Sequence, residues 1–207
     1  MNRAASRIAG LVTLLLGAFA MATETPKYEV LERYGDFEVR QYPSSVVAET
    51  EVQGEQTAVG NEAFSRLGGY IFGNNRGTKK IAMTAPVTQA PADGTKIAMT
   101  APVTQSSAGP HSWRVQFIMP SEYTLESLPA PKDDRVHLRQ LPPNRFAALR
   151  YSGTWSRRNY EEHLTRLSAA MKREGLEPKG EPVWARYDPP FKPWFLRTNE
   201  ILVEVGP

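Results

Sequence analysis

The order in which the hydrophobic periods change constrains this chain most, because the chain runs through the same order twice. Tyr28 to Tyr42 holds two short β-like runs around Gly35-Asp36, a pair suited to a hairpin turn. Val46 to Val52 is a third strand, ending at Gly54. From Gln56 to Phe72 the period lengthens: Ala63, Phe64, Leu67, Tyr70 and Ile71 recur at three- and four-residue steps, one face of an amphipathic helix. Gly73-Asn74-Asn75 stops that helix. Trp113, Val115, Phe117 and Met119 then alternate as the buried face of a strand. The second half begins with strands at Arg135–Leu141 and Arg145–Tyr151, separated by a Pro142-Pro143-Asn144 turn. A helix follows from about Ser156 to Glu174, with its stripe at Tyr160, Leu164, Leu167 and Met171 and its stop at Gly175. Val183–Tyr187 and Asn199–Val205 close the chain as strands. This order predicts an α+β domain made of two βαββ half-repeats, about 28–120 and 133–205, within a single domain spanning 23–207.

A second and younger duplication lies inside the first half. Lys80–Gln89 and Lys96–Gln105 both read KIAMTAPVTQ, sixteen residues apart and without one difference. Ile81, Met83, Ala85 and Val87 fall on alternate positions, as do Ile97, Met99, Ala101 and Val103, which predicts a strand with one buried face. Pro86 and Pro102 lack an N–H and argue for a sheet edge or a bulge. Two arrangements are open: a hairpin turning at 90–95, or one copy in the sheet and the other looped out.

Residues 1–22 read as a secretory signal. Arg3 and Arg7 precede an uncharged apolar run, Ile8–Ala20, and Ala18, Ala20 and Ala22 supply small residues for cleavage. The run is short for a bilayer span, so export to the periplasm or medium is expected, with no stable membrane insertion once the signal is gone. The remaining chain has 23 basic and 22 acidic side chains, a net of +1, and no basic stripe that would attract nucleic acid. With no cysteine there is no disulfide and no thiolate metal site, so the fold rests on its core. A monomer is expected. The sequence carries no G-x-S-x-G, H-E-x-x-H, P-loop or dinucleotide fingerprint.

Five stretches in order resemble the SOUL/heme-binding protein family: YEVLERYGDFEVRQY (28–42), LGGYIFGNN (67–75), the doubled KIAMTAPV, FIMPSEYTLESLPAP (117–131) and ARYDPPFKPWFLRTNE (185–200). The doubled decamer is similar to an arrangement found among bacterial members. The resemblance implies two βαββ repeats related by pseudo-twofold symmetry, forming a distorted antiparallel β-barrel flanked by two helices. It also implies non-covalent binding of heme or a related tetrapyrrole in an apolar groove, and a fold similar to small-molecule effector-binding domains. A tetrapyrrole-modifying, metal-removing enzyme and a binding module for another apolar molecule are the alternatives.

Heme requires apolar area for the macrocycle, cations for the propionates and, optionally, an axial ligand. Leu67, Tyr70 and Ile71 on the first helix supply the area, although such a stripe can equally be core. Arg66 and Lys192 occupy positions that resemble the family's propionate-binding residues, with Lys79 and Lys80 as less specific cations. No metal ligand is assigned. His111 lies in a Gly-Pro loop, His137 on the solvent side of a strand and His163 at the margin of the second helical stripe. Met83 and Met99 fit core packing better than iron ligation. Phe191, Trp194 and Phe195 stand in a proline-rich connector that is expected to cover the core rather than line a site.

Overall fold

The computed structural model describes residues 24–77, 97 and 99–206. The expected signal, the first decamer copy, Lys79, Lys80 and Met83 lie outside those residues. Among the described residues nine strands form a single sheet: β1 (Glu29–Arg33), β2 (Glu38–Tyr42), β3 (Ser45–Gln53), β4 (Val103–Gly109), β5 (Ser112–Ile118), β6 (His137–Leu141), β7 (Asn144–Tyr151), β8 (Val183–Arg186) and β9 (Asn199–Glu204). The helices are α1 (Val59–Ile71) and α2 (Arg157–Arg173), with one 3-10 turn at Trp194–Leu196.

Every strand pair is antiparallel. The spatial order is β1-β2-β7-β9-β8-β4-β5-β3-β6. Read outward from the β8–β4 pair, the two sides match: β8, β9, β7 on one and β4, β5, β3 on the other. Each side is completed by the strand that precedes the other side's first strand, since β2 pairs with β7 and β6 pairs with β3. The Pro142-Pro143 link therefore crosses between the halves and does not close a β6–β7 hairpin. The sheet is a curled half-barrel with β1 and β6 at its edges, the pseudo-twofold architecture expected from the sequence.

α1 packs on β3 and β5, and α2 on β7 and β9. Two similar cores result. Ala63, Leu67, Tyr70 and Ile71 meet Ala48, Val52, Val115 and Phe117 in the first. Tyr160, Leu167, Ala170 and Met171 meet Ala147, Leu149, Ile201 and Val203 in the second. Each large side chain so buried contributes about 1.5–3 kcal/mol, so the two stripes hold both helices in place without a disulfide. α1 stops where Gly73 takes a left-handed φ of 116°, and the Asn74 N–H donates to the Gly69 carbonyl at 2.8 Å. α2 starts at Ser156, whose hydroxyl accepts from the Asn159 N–H at 3.3 Å.

Three expectations change. Phe64, placed in the buried stripe, is 44% exposed. The second decamer copy enters the sheet only at Val103, and Met99 is exposed while Ile97 and Ala101 are buried, so the alternation does not run unbroken. Pro102 sits immediately before β4, where its missing N–H is harmless, and β4 is central rather than an edge.

The opposite sheet face carries a buried ionic network. Glu200, fully buried, accepts from Arg40 Nη1 at 3.1 Å, Arg150 Nε at 3.0 Å and the Tyr187 hydroxyl at 2.6 Å. Arg40 Nε also donates to Glu38 at 2.8 Å, and its guanidinium lies 4.3 Å from the Tyr28 ring centroid. Burial works against the charged Arg40, yet Glu200, Tyr42 and Glu38 together raise its pKa.

Candidate functional site

The two edges of α1 differ in chemistry. Leu67, Tyr70 and Ile71 are at most 1% exposed and belong to the core, and the Tyr70 hydroxyl donates to the Pro129 carbonyl at 3.0 Å. Arg66 leaves the helix towards β3. It donates to the Thr50 hydroxyl at 3.2 Å and the Glu51 carbonyl at 2.9 Å, pairs with Glu62, and keeps its buried Nε without a partner. On the other edge stand Phe64 and Phe72, 44% and 58% exposed. Gly68 lies between them: a β-carbon there would be 3.5 Å from the Phe64 ring and 3.7 Å from the Phe72 ring. The apolar surface at this edge of α1 is thus the rings of Phe64 and of Phe72 just past the helix end, over the buried Gly68.

The segment between β8 and β9 does not cover the core. Phe191 is 87% exposed, and Trp194, Phe195 and Leu196 are each more than half exposed. Backbone and side-chain bonds fix it in that pose. Arg197 donates to the Lys192 carbonyl at 2.8 Å and the Pro190 carbonyl at 2.6 Å, and the Trp194 carbonyl accepts from the Gly153 N–H at 3.1 Å. Lys192 Nζ donates to Asp188 at 2.5 Å. Arg66 reaches β3, while Lys192 stands in the segment after β8, and those two strands are three places apart in the sheet order.

Arg186 connects the two apolar surfaces. A β-carbon on Gly60, one turn ahead of Phe64, would be 3.3 Å from Arg186 Nη1. The guanidinium lies 4.3 Å from the Trp184 ring and 5.5 Å from the Trp155 ring, and Arg197 lies 4.3 Å from that same Trp155. Arg186 donates to Gln105, which in turn donates to the Gln56 carbonyl at 2.8 Å. Burial lowers the Arg186 pKa to about 10. Sequence reasoning missed this residue. The only trace was an arginine alternating with a tryptophan in a short strand, a pattern that does not say which face is covered.

His163 stacks on Tyr151 at 4.2 Å, with Nδ1 at 2.8 Å from the Asn159 carbonyl. His137 is exposed, and His111 takes a φ of 55° in an exposed turn near Glu55. Among the described residues no three His, Asp or Glu side chains gather as a metal site, and no helix is long and apolar enough to cross a membrane. A cavity of about 380 Å³ opens between the β1–β2 hairpin and β7, but Arg33, Asp36, Glu38, Arg40 and Arg150 around it make it ionic. One of about 230 Å³ is lined by Gln56, His111, Trp113 and Arg157 near the starts of both helices.

These features define a two-helix, curled-sheet binding domain with exposed apolar surface beside cations. A profile of the SOUL heme-binding protein family matches residues 23–204, and the chain belongs to that family. It is 26% identical to heme-binding protein 2 of Homo sapiens over 200 residues, which cover 88% of this chain and 90% of that one. The likeness to heme-binding protein 2 of Mus musculus is also 26%, over 91% and 93% of the two chains. Among solved structures, the C-terminal domain of EcmrR superposes with a TM-score of 0.58 at 10% identity, covering 86% of this chain and 98% of that one. A hydrolase from Listeria innocua gives 0.59 at 12% identity, over 85% and 94%. These two share the fold.

A tetrapyrrole fits the chemistry present. Exposed aromatic area suits the flat macrocycle, and arginines with unmet donors suit its carboxylates.

Proposed function

We propose that the protein binds heme or a related tetrapyrrole against the outer edge of α1 and carries or buffers it, as a monomer, outside the cytoplasm. The observation that carries the reading is the pair of exposed rings Phe64 and Phe72, together with the outward aromatic segment 191–196. Large apolar side chains gathered and fixed in solvent mark a binding surface. Leu67, Tyr70 and Ile71 then serve as the packed base of that surface. Arg66 and Lys192 remain the propionate partners that the family resemblance implies, each exchanging a protein carboxylate, Glu62 or Asp188, for a ligand one. The location rests on the Arg3/Arg7 segment and apolar run of residues 1–22.

Hemin titration of the chain without residues 1–22, followed at the Soret band, tests the reading. Phe64→Ser with Phe72→Ser removes roughly 1 kcal/mol of new burial per ring, so affinity should fall about thirtyfold while the fold persists. Arg66→Glu with Lys192→Glu should weaken binding more than either change alone, each single change acting only a few-fold. Replacing His111, His137 and His163 by alanine should leave most of the affinity. Absence of hemin binding by the unmodified chain, or unchanged affinity in the double serine variant, refutes the proposal.

A further inference from the structure

Arg186 Nε is buried without a hydrogen-bond partner on the helix-covered face of the sheet, beside the Tyr151 hydroxyl, towards which Trp184 Nε1 is directed as a donor. Tyr151 is 7% exposed and Trp184 is sealed. They belong together. Tyr151 and Arg186 both face Asn199 of β9 across the ladder, and Trp184 is two residues before Arg186 on the same face. Burial raises the Tyr151 pKa, and Trp184 and Arg186 both pull it back, as groups close to its oxygen do. The position in the fold is equally specific. α1 covers β3 and β5, and α2 covers β7 and β9, so β8 lies under the gap between the helices. Arg186 spans that gap from Gly60 of α1 to Trp155, two residues before α2.

A buried cation normally has a carboxylate, as Arg40 has Glu200. Arg186 has two tryptophan rings and a neutral glutamine instead. Cation–π contact offsets part of its charge, but it leaves Nε and the neighbouring Tyr151 O–H unmet, and buried donors left unmet are costly. Arg186 Nε and the Tyr151 O–H can both donate, one is charged, and Arg186 as a residue is half-buried rather than sealed.

We infer that Arg186 and Tyr151, with Trp184 holding the tyrosine oxygen, form a subsite for a ligand carboxylate in the gap between the two helices. The carboxylate belongs either to a propionate arm of a tetrapyrrole, in which case the inference rests on the function proposed above, or to a small free acid. A side chain on Gly60 would press on the guanidinium where it lies against α1, and Trp155 closes the opposite side.

Two probes separate the sources: hemin against its dimethyl ester, read at the Soret band, and benzoate, read by tryptophan emission. The unmodified chain should bind hemin at least about tenfold tighter than the ester, the effect of a charge-assisted hydrogen bond. Arg186→Met should reduce that preference several-fold, the remainder resting on Arg66 and Lys192, without changing ester affinity. Tyr151→Phe, which removes one oxygen and keeps the ring, should reduce it several-fold and guards against misfolding of the arginine variant. An emission response to benzoate that disappears in Arg186→Met supports the subsite even where no porphyrin binds, and then the tetrapyrrole reading alone fails. Hemin bound with the same preference over ester in all three proteins overturns the inference and leaves the tetrapyrrole reading intact. No preference in the unmodified chain, together with a benzoate response indifferent to Arg186, also overturns it.

Discussion

Glu200→Gln isolates the buried ionic network on the helix-free face. The glutamine keeps the shape and one acceptor oxygen but removes the charge opposite Arg40, whose side chain is 4% exposed. Loss of one member of a buried ion pair costs about 3–5 kcal/mol, because the survivor stays desolvated. Glu38, 2.8 Å from Arg40 Nε and 24% exposed, remains as a partial counter-charge, so the lower end, about 3 kcal/mol, is expected. For a domain of this size that is a fall of about 6–12 °C in melting temperature. Arg150→Ala tests the same carboxylate from its solvent side. The Arg150 side chain is 60% exposed, so its pair is screened and its loss should cost under about 1 kcal/mol. Glu200→Leu with Arg40→Met should recover most of the stability, since no buried charge is left without a partner. Urea unfolding of these variants with fitted slopes gives the comparison directly. Equal losses for Glu200→Gln and Arg150→Ala would refute the reasoning.

Two further outcomes follow from burial and charge. Leu167 is fully buried under α2, so Leu167→Asp should cost about 4 kcal/mol or more, whereas the exposed Glu162→Ala should be nearly silent; thermal melts of both decide whether the helix face is right. Asp133 accepts from the Arg135 side chain at 2.8 Å and from its backbone N–H at 3.0 Å, and the arginine holds its pKa at about 2. A depressed carboxylate contributes stability that is complete above its unfolded pKa and disappears as pH falls through the folded one. The stability gap between the unmodified chain and Asp133→Asn should therefore close between about pH 4 and 2, and Arg135→Ala should return the carboxyl NMR titration to the ordinary range.

The periodicities were enough to define both helices and most strands, because period is a local property. Ala63, Leu67 and Ile71 must share a side of any helix, and Val115 and Phe117 a side of any strand. The swapped positions of β2 and β6 are not local. They follow from how two half-repeats share one sheet, and no spacing within either half encodes which strand is lent to the other. The same distinction runs through the site. The family stretches were legible as strings, and the stripe on α1 as a stripe, but which residues bordering that stripe meet solvent depended on where β3, β5 and β8 lie beneath it. Phe64 and Phe72 are exposed and Leu67 sealed for that reason.

The α+β class, the twofold order of elements and the family could be read from the chain alone, since each is carried by residues close together in it. That Arg66 reaches Thr50 and Lys192 meets Asp188, that Glu200 meets Arg40 across 160 residues, and that Arg186 lies between two tryptophans without a carboxylate emerged with the folded arrangement. Electrostatic partners and solvent exposure depend on distance through space, and that distance is fixed when the sheet curls and both helices settle on it.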